Sequence, residues 1–159
     1  MTTNGRWVLL AYRLPREPST PRIALWRKLK RLGAAQLLDG LVGLPLDART
    51  REQFEWLADE VIEAGGEAAL WLGEPLAAAQ QRELVGRLCA AIAAEYAAVS
   101  AAAAVAHSGA ALERPRALAR LRRELRRIEA RDYFPPPERE VARAAVDALA
   151  AGSAAEVSG

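Results

Sequence analysis

A short basic run carries the clearest chemical signal in this sequence. Within RIALWRKLKR, residues 22–31, five side chains are lysine or arginine. On a helix, Leu25 and Leu29 would share an apolar stripe with Trp26 beside it, while the cations lie opposite the stripe or along its borders. Clustered cations bind nucleic-acid phosphates by releasing condensed counterions, so the run predicts a DNA-binding surface; a solvated basic face without a ligand is the alternative. The predicted surface consists of Arg16, Arg22, Arg27, Lys28, Lys30 and Arg31.

A second basic segment follows later in the chain. Residues 114–131 contain eight arginines, interleaved with leucines at helical spacing. One interpretation is a second phosphate-binding surface, formed by Arg120, Arg123 and Arg127. The other is the solvated outer face of a helix whose leucine seam is buried, which charge pattern alone does not exclude.

One tryptophan lies away from the apolar positions of its predicted helix. Trp56 is surrounded in sequence by acidic residues rather than by the Phe54, Leu57 and Val61 stripe. It is therefore a candidate interface residue for a homodimer; the alternatives are an aromatic ring at the edge of the core and a ring packed against the C-terminal helical hairpin.

The sequence offers little for catalysis or metal binding. With one cysteine and one histidine, it provides no zinc cluster, no internal disulfide and no nucleophile–base pair close in sequence. The first predicted strand ends in Tyr12, Arg13 and Leu14, so no carboxylate is placed there for a divalent cation, and Asp39 and Asp47 suit turn or cap positions. We therefore expect a non-enzymatic protein without catalytic residues, metal or cofactor.

Hydrophobic periodicity and turn residues predict an α+β protein. Strands are expected at residues 7–14, 34–40, 41–46 and 67–73, and helices at 19–33, 50–64, 76–106, 115–131 and 138–151. The first six of these elements follow the order of a ferredoxin-like split βαβ domain, with a four-stranded antiparallel sheet and two helices. The expected organisation is a ferredoxin-like domain at 1–73, an α-helical extension at 74–152 and a flexible tail at 153–159.

Composition indicates a globular protein in a reducing compartment. The chain is 52% hydrophobic with a formal net charge of +2, so anion binding must come from local segregation of charge. The alanine-rich segment 76–106 is interrupted by charged residues that would be costly in lipid, which predicts no membrane association. We expect the cytoplasm as its location.

Three stretches together resemble the N-terminal domain of ChrB, the regulator of bacterial chromate-resistance operons. They are WRKLKRLGA with the PREPS loop before it, TREQFEWLADEVIEAGGEAALW, and RRELRRIEARDYF. The resemblance implies a cytoplasmic, dimeric DNA-binding regulator of a chromate efflux gene, related in fold to the ferredoxin-like module of PaaX-type repressors. The expected partner is double-stranded operator DNA.

The resemblance also has a departure. Full-length ChrB proteins carry a further C-terminal domain associated with the chromate response, whereas this sequence stops at Gly159. We therefore expect weak or no chromate binding by this chain, because an open row of cations lacks the converging donors that a compact dianion needs. A module that mediates protein interaction or dimerisation without binding DNA is the alternative function.

Overall fold

The structure, a computed structural model, describes residues 5–158. Its elements run in the order β1 (Trp7–Arg13), α1 (Thr20–Leu32), β2 (Ala35–Leu38), β3 (Leu41–Pro45), α2 (Ala48–Glu63), β4 (Glu67–Gly73), α3 (Ala78–Ser108), α4 (Arg114–Glu129) and α5 (Glu138–Val157). A short 3₁₀ turn, Ala111–Glu113, precedes α4.

The four strands form one antiparallel sheet in the order β2-β3-β1-β4. This is the strand order of a ferredoxin-like split βαβ unit, so the predicted fold class is confirmed. Val8 and Leu10 on β1 oppose Leu44 and Val42 on β3, and all four are buried. They form the sheet's contribution to the first core, to which α1 adds Leu25 and Leu29 and α2 adds Phe54, Leu57 and Val61.

Local chemistry sets the ends of the first helices. Gly33 ends α1 in a left-handed conformation, φ 72°, as predicted from its position after the last apolar residue. The second helix begins at Ala48, two residues before the predicted start, because Asp47 caps it. The Asp47 carboxylate accepts from the Thr50 backbone N–H at 2.7 Å, and Thr50 Oγ1 accepts from the Asp47 N–H at 3.0 Å.

The chain divides into two compact units, one ending at Val85 and the other beginning at Gly86. This division lies within α3, whereas the sequence placed the end of the ferredoxin-like domain at residue 73; the first turns of α3 belong to the sheet-containing unit. There, Trp7 Nε1 donates to Gln81 Oε1 at 2.8 Å, and Leu84 is buried.

Three helices share the core of the second unit. Ile92, Tyr96 and Val99 of α3 meet residues of α4 and α5, and α4 lies closest to α5. The last helix extends to Val157, into the segment expected as a flexible tail. The SAAEV sequence there favours helix, and Glu156 pairs with Arg114 on α4.

One helix is long and apolar enough to cross a membrane by composition. An 18-residue window of α3 has a mean hydropathy of 1.8, and 22% of that window is buried. In the structure, Ile92, Tyr96 and Val99 of α3 lie in the helical core, Val105 is 73% exposed, and Glu95 pairs with Arg131.

Candidate nucleic-acid interface

The basic face of α1 is built by the helix's own periodicity. Leu25 and Leu29 anchor the helix, with exposed fractions of 4% and 6%. The opposite side of the helix is open to solvent. Arg27, Lys30 and Arg31 lie on that side, Arg22 lies at the border of the apolar stripe, and all four are exposed.

These four cations have no carboxylate partner among the described residues, whereas two of their neighbours do. Lys28, half-buried, donates to Glu60 Oε2 on α2 at 2.6 Å. Arg13 at the end of β1 pairs with Glu67 on β4 at 2.7 Å. A cation without a carboxylate partner can take up phosphate without first breaking a salt bridge, so the predicted set separates into four such residues and Lys28, whose charge is already offset. Arg16, the remaining predicted member, lies exposed in the loop before α1.

An exposed tryptophan lies between Arg22 and Lys30 on the helix surface, four residues from each. Trp26, expected beside the core, is 54% exposed, and Lys30 Nζ lies 4.5 Å from the centroid of its ring. That geometry is a cation–π contact. Sequence reasoning missed Trp26 because a tryptophan next to an apolar stripe normally joins it; the basic residues on both sides of it were the available signal.

The same face borders a cavity of about 910 Å³. Its wall comes from three places: the end of β1, the N-terminal half of α1, and the β2–β3 turn. The lining residues are Tyr12, Arg13, Leu14, Ser19, Arg22, Ile23, Trp26, Arg27, Gln36, Asp39 and Gly40. Among proteins, cavities of roughly this volume hold small organic ligands.

The β2–β3 turn is fixed against β1 at the cavity. Tyr12 N–H donates to Gly40 O at 2.8 Å. Gly40 has φ +75°, and a Cβ built on it would lie 2.5 Å from Tyr12 O, so the close approach requires glycine. This is a two-residue Asp-Gly hairpin, since Leu38 pairs with Leu41 on either side of the turn.

Burial and the charges around the cavity shift the pKa of Tyr12. Burial raises the pKa of its phenol; the nearby Arg22 guanidinium lowers it, and the Asp39 carboxylate raises it further, with a net shift upward from the ordinary value. The phenol therefore stays protonated at neutral pH and can donate a hydrogen bond into the cavity.

The second basic segment lies on α4, and several of its arginines face solvent. Arg120 and Arg123 are exposed and lie on one side of the helix together with Arg116 and Arg127. Only Arg127 of these four has an acidic neighbour within salt-bridge distance in the described chain, Glu124 at 3.7 Å. The predicted second surface is therefore a solvent-facing row of cations, without an exposed aromatic ring among them.

Other arginines of the helical unit join its helices. Arg131 forms a two-pronged pair with Glu95 on α3, and Arg143 on α5 donates to Glu129 on α4 at 2.6 Å. These side chains are half-buried and contribute to packing between helices.

A buried polar contact accompanies these pairs. The fully buried Tyr96 donates to Asp132 Oδ2 at 2.7 Å, and the Asp132 side chain is itself inaccessible. Burial, together with the hydrogen bond and charge of Asp132, raises the pKa of Tyr96 well above its ordinary range. No local pattern signals this contact, because its two residues are 36 positions apart.

Trp56 lies where the sequence suggested, off the buried stripe of α2. It is 65% exposed, so it is not a ring at the edge of the core. Within residues 5–158, no group of three or more His, Cys, Asp or Glu side chains is arranged to hold a metal ion.

Comparison with known proteins identifies the family. The family model described as "Protein ChrB, N-terminal" matches residues 22–156. The chain therefore belongs to the ChrB N-terminal family, which connects it to the chromate-resistance system.

A curated relative gives the same result over a shorter stretch. The chain is 36% identical over 77 residues to a protein named Protein ChrB from Cupriavidus metallidurans; the match covers 48% of this chain and 23% of the relative. The aligned stretch thus spans less than a quarter of that protein. No solved structure gives a significant match.

Proposed function

We propose that this chain is a non-enzymatic, cytoplasmic DNA-binding regulator in the chromate-resistance system. The observation that carries the proposal is the set of four unpaired cations on the solvent face of α1. Family membership supports the biological setting, and the charge arrangement supports phosphate as the ligand.

Salt dependence tests the proposal directly. If Arg22, Arg27, Lys30 and Arg31 each neutralise one phosphate, the log–log slope of affinity against salt is about −3.6, or roughly a 150-fold loss between about 50 and 200 mM. Fluorescence anisotropy with a labelled mixed-sequence duplex and with duplexes from the neighbouring operon measures both slope and specificity. Affinity independent of salt would contradict the proposal.

Phosphate contacts alone do not select an operator. Sequence preference requires contacts to base edges or a sequence-dependent DNA shape. A regulator should therefore bind at least one duplex from its own operon more tightly than the mixed-sequence duplex at equal salt.

The second candidate function is a protein-interaction or dimerisation module that does not bind DNA. The exposed indole of Trp56 favours it, because large aromatic rings anchor protein interfaces. Under this function the mixed-sequence and operon duplexes bind equally weakly, while a Trp56-dependent complex persists.

Self-association is part of the proposal in either case. A homodimer matches the two-fold symmetry of many operators, and light scattering at micromolar concentration should give about twice the 17.2 kDa chain mass. Trp56→Ala should shift the protein to monomer, whereas Trp71→Ala, an equally exposed tryptophan on β4, serves as the control. A monomeric wild type would contradict the homodimer.

Chromate is not proposed as a ligand of this chain. The cavity beside α1 is open and far larger than a tetrahedral oxyanion, so a compact dianion would remain hydrated there and compete with sulfate and phosphate. Calorimetric titration with chromate against a sulfate background should show no saturable heat. A sulfate-resistant isotherm would place an effector site within these residues.

A further inference from the structure

The cavity beside α1 combines two kinds of chemistry that a phosphate-binding surface does not need together. Its lining includes the guanidinium groups of Arg22 and Arg27, which have no carboxylate partner among the described residues, together with the rings of Tyr12 and Trp26 and the Ile23 side chain. Cations alone would suffice to bind the phosphates of a DNA backbone. The apolar and aromatic wall remains to be explained.

Trp26 has the properties of a stacking platform. It lines the cavity, and its ring is more than half exposed, although an indole ring gains considerably from burial. The Lys30 ammonium lies over one face of the ring, 4.5 Å from its centroid, so a stacked base would take the other face. Aromatic rings beside backbone-binding cations are the arrangement by which proteins hold unstacked bases.

The turn side of the cavity provides groups that can recognise a base edge. Gln36 carries an amide, which both donates and accepts, and the Asp39 carboxylate accepts hydrogen bonds such as those from exocyclic amino groups. A carboxylate would repel a bare anion. Its presence therefore favours a ligand that brings both a phosphate and a hydrogen-bonding heterocycle.

We propose that this cavity binds one nucleotide, with its base stacked on Trp26 and its phosphate held by Arg22 and Arg27. The nucleotide has two sources: a free nucleoside monophosphate, or an unstacked nucleotide within a DNA strand. For the second source, the inference rests on the proposed DNA-binding function.

Calorimetry on the full chain tests the first source. Deoxyadenosine monophosphate should bind saturably, and deoxyadenosine and inorganic phosphate, which each lack one half of the ligand, should bind at least about tenfold more weakly. Duplex DNA tests the second source: an unpaired extra adenine in the duplex should raise affinity about tenfold over the fully paired control, since the cost of unstacking is smaller there.

Variants assign the effect to the cavity. Trp26→Ala should remove the mononucleotide binding or the preference for the unpaired adenine, and Trp26→Phe should restore most of it by retaining a ring. Arg22→Gln should weaken binding of the monophosphate but not of the nucleoside. Trp71→Ala is the matched control, because Trp71 is 63% exposed on β4 and does not line the cavity.

The outcomes separate this inference from the proposed function. Duplex binding without mononucleotide binding and without a Trp26-dependent preference overturns the inference and leaves DNA binding intact. Mononucleotide binding without duplex binding overturns the proposed function and leaves the inference intact. Absence of both overturns both.

Discussion

The arginines of α1 and those of the helical unit have different roles, although the sequence presents them similarly. On α1 the cations face solvent beside an exposed aromatic ring and a cavity. In the helical unit, Arg131 and Arg143 are half-buried and tied to glutamates on neighbouring helices. The distinguishing factor is the distance from each guanidinium to an acidic partner on another helix, which a count of arginines does not reveal.

The difference implies that removal of a solvent-facing cation and removal of an arginine paired to another helix should affect different properties of the protein. A cation that faces solvent contributes little to folding, so its removal should affect binding alone. A half-buried cation holds a carboxylate that would otherwise lose its partner, so its removal should affect stability.

The largest expected effect is on DNA binding. Reversing Arg27, Lys30 and Arg31 to Glu should weaken duplex binding more than about 100-fold near 150 mM salt and reduce the salt slope by about 2.7. The far-UV circular dichroism and the thermal midpoint should stay close to wild type. The charge-matched control is reversal of Arg120, Arg123 and Arg127 on α4; an equal loss there would show that both helices bind phosphate and would break the comparison.

The next effect concerns the buried contact between Tyr96 and Asp132. Tyr96→Phe should lower the free energy of unfolding by about 2 kcal/mol, because the inaccessible carboxylate loses a hydrogen-bond donor. Guanidinium denaturation followed by circular dichroism measures it, with Tyr12→Phe as control. Unchanged stability would mean that the contact contributes nothing.

The same variant predicts a pH dependence. Folding raises the pKa of Tyr96 above its ordinary 10.0, so the folded protein holds the phenol proton at pH values where the unfolded chain releases it. The stabilisation is complete below about pH 10 and declines as the pH rises further. The stability difference between wild type and Tyr96→Phe should therefore narrow above that pH, and a difference that widens would contradict the assignment.

A smaller loss of stability is expected when the bidentate salt bridge between Arg131, just after α4, and Glu95 on α3 is removed. Arg131→Ala should cost about 1–2 kcal/mol, since it leaves Glu95 without its two-pronged partner. Arg122→Ala, which removes an exposed arginine from the same helix region, should cost less than about 0.5 kcal/mol. Equal losses of stability in the two variants would show that an arginine paired to another helix stabilises the fold no more than a solvated one.

The smallest expected effects distinguish two lysines of α1, Lys28 and Lys30. Lys28→Ala should change duplex affinity less than about twofold and stability by less than about 1 kcal/mol, because Lys28 is engaged in a surface pair with Glu60. Lys30→Ala should reduce the salt slope by about 0.9, which corresponds to one phosphate. Anisotropy titrations at several salt concentrations resolve the two, and a matching loss for Lys28 would place it among the phosphate ligands.

Much of the sheet-containing unit could be predicted from local pattern. Continuous apolar runs, the Asp39-Gly40 turn and the glycine at the end of α1 are short-range signals, and together they determine the element order of the fold. The exposure of Trp26 could not be predicted in the same way. Periodicity places Trp26 at the border of the apolar stripe, but it does not show whether another part of the fold covers the ring.

The helical unit was less predictable because its important contacts connect distant residues. Leucine spacing indicates that α4 has a buried side, but not that α5 is its closest neighbour or that Tyr96 meets Asp132. The attachment of the first turns of α3 to the sheet-containing unit could not be predicted for a similar reason. Nothing in the alanine-rich sequence of α3 signals that Gln81 accepts a hydrogen bond from Trp7.

The approach of Gly40 to Tyr12 has a consequence for how this family can diversify. Residues on the cavity wall, such as Ile23 or Gln36, can be exchanged one at a time while the wall keeps its place. Gly40 cannot, because any other side chain would collide with a backbone oxygen and move the whole hairpin. Natural variation should therefore alter what the cavity accepts through its lining residues, while its width is inherited unchanged through a single glycine.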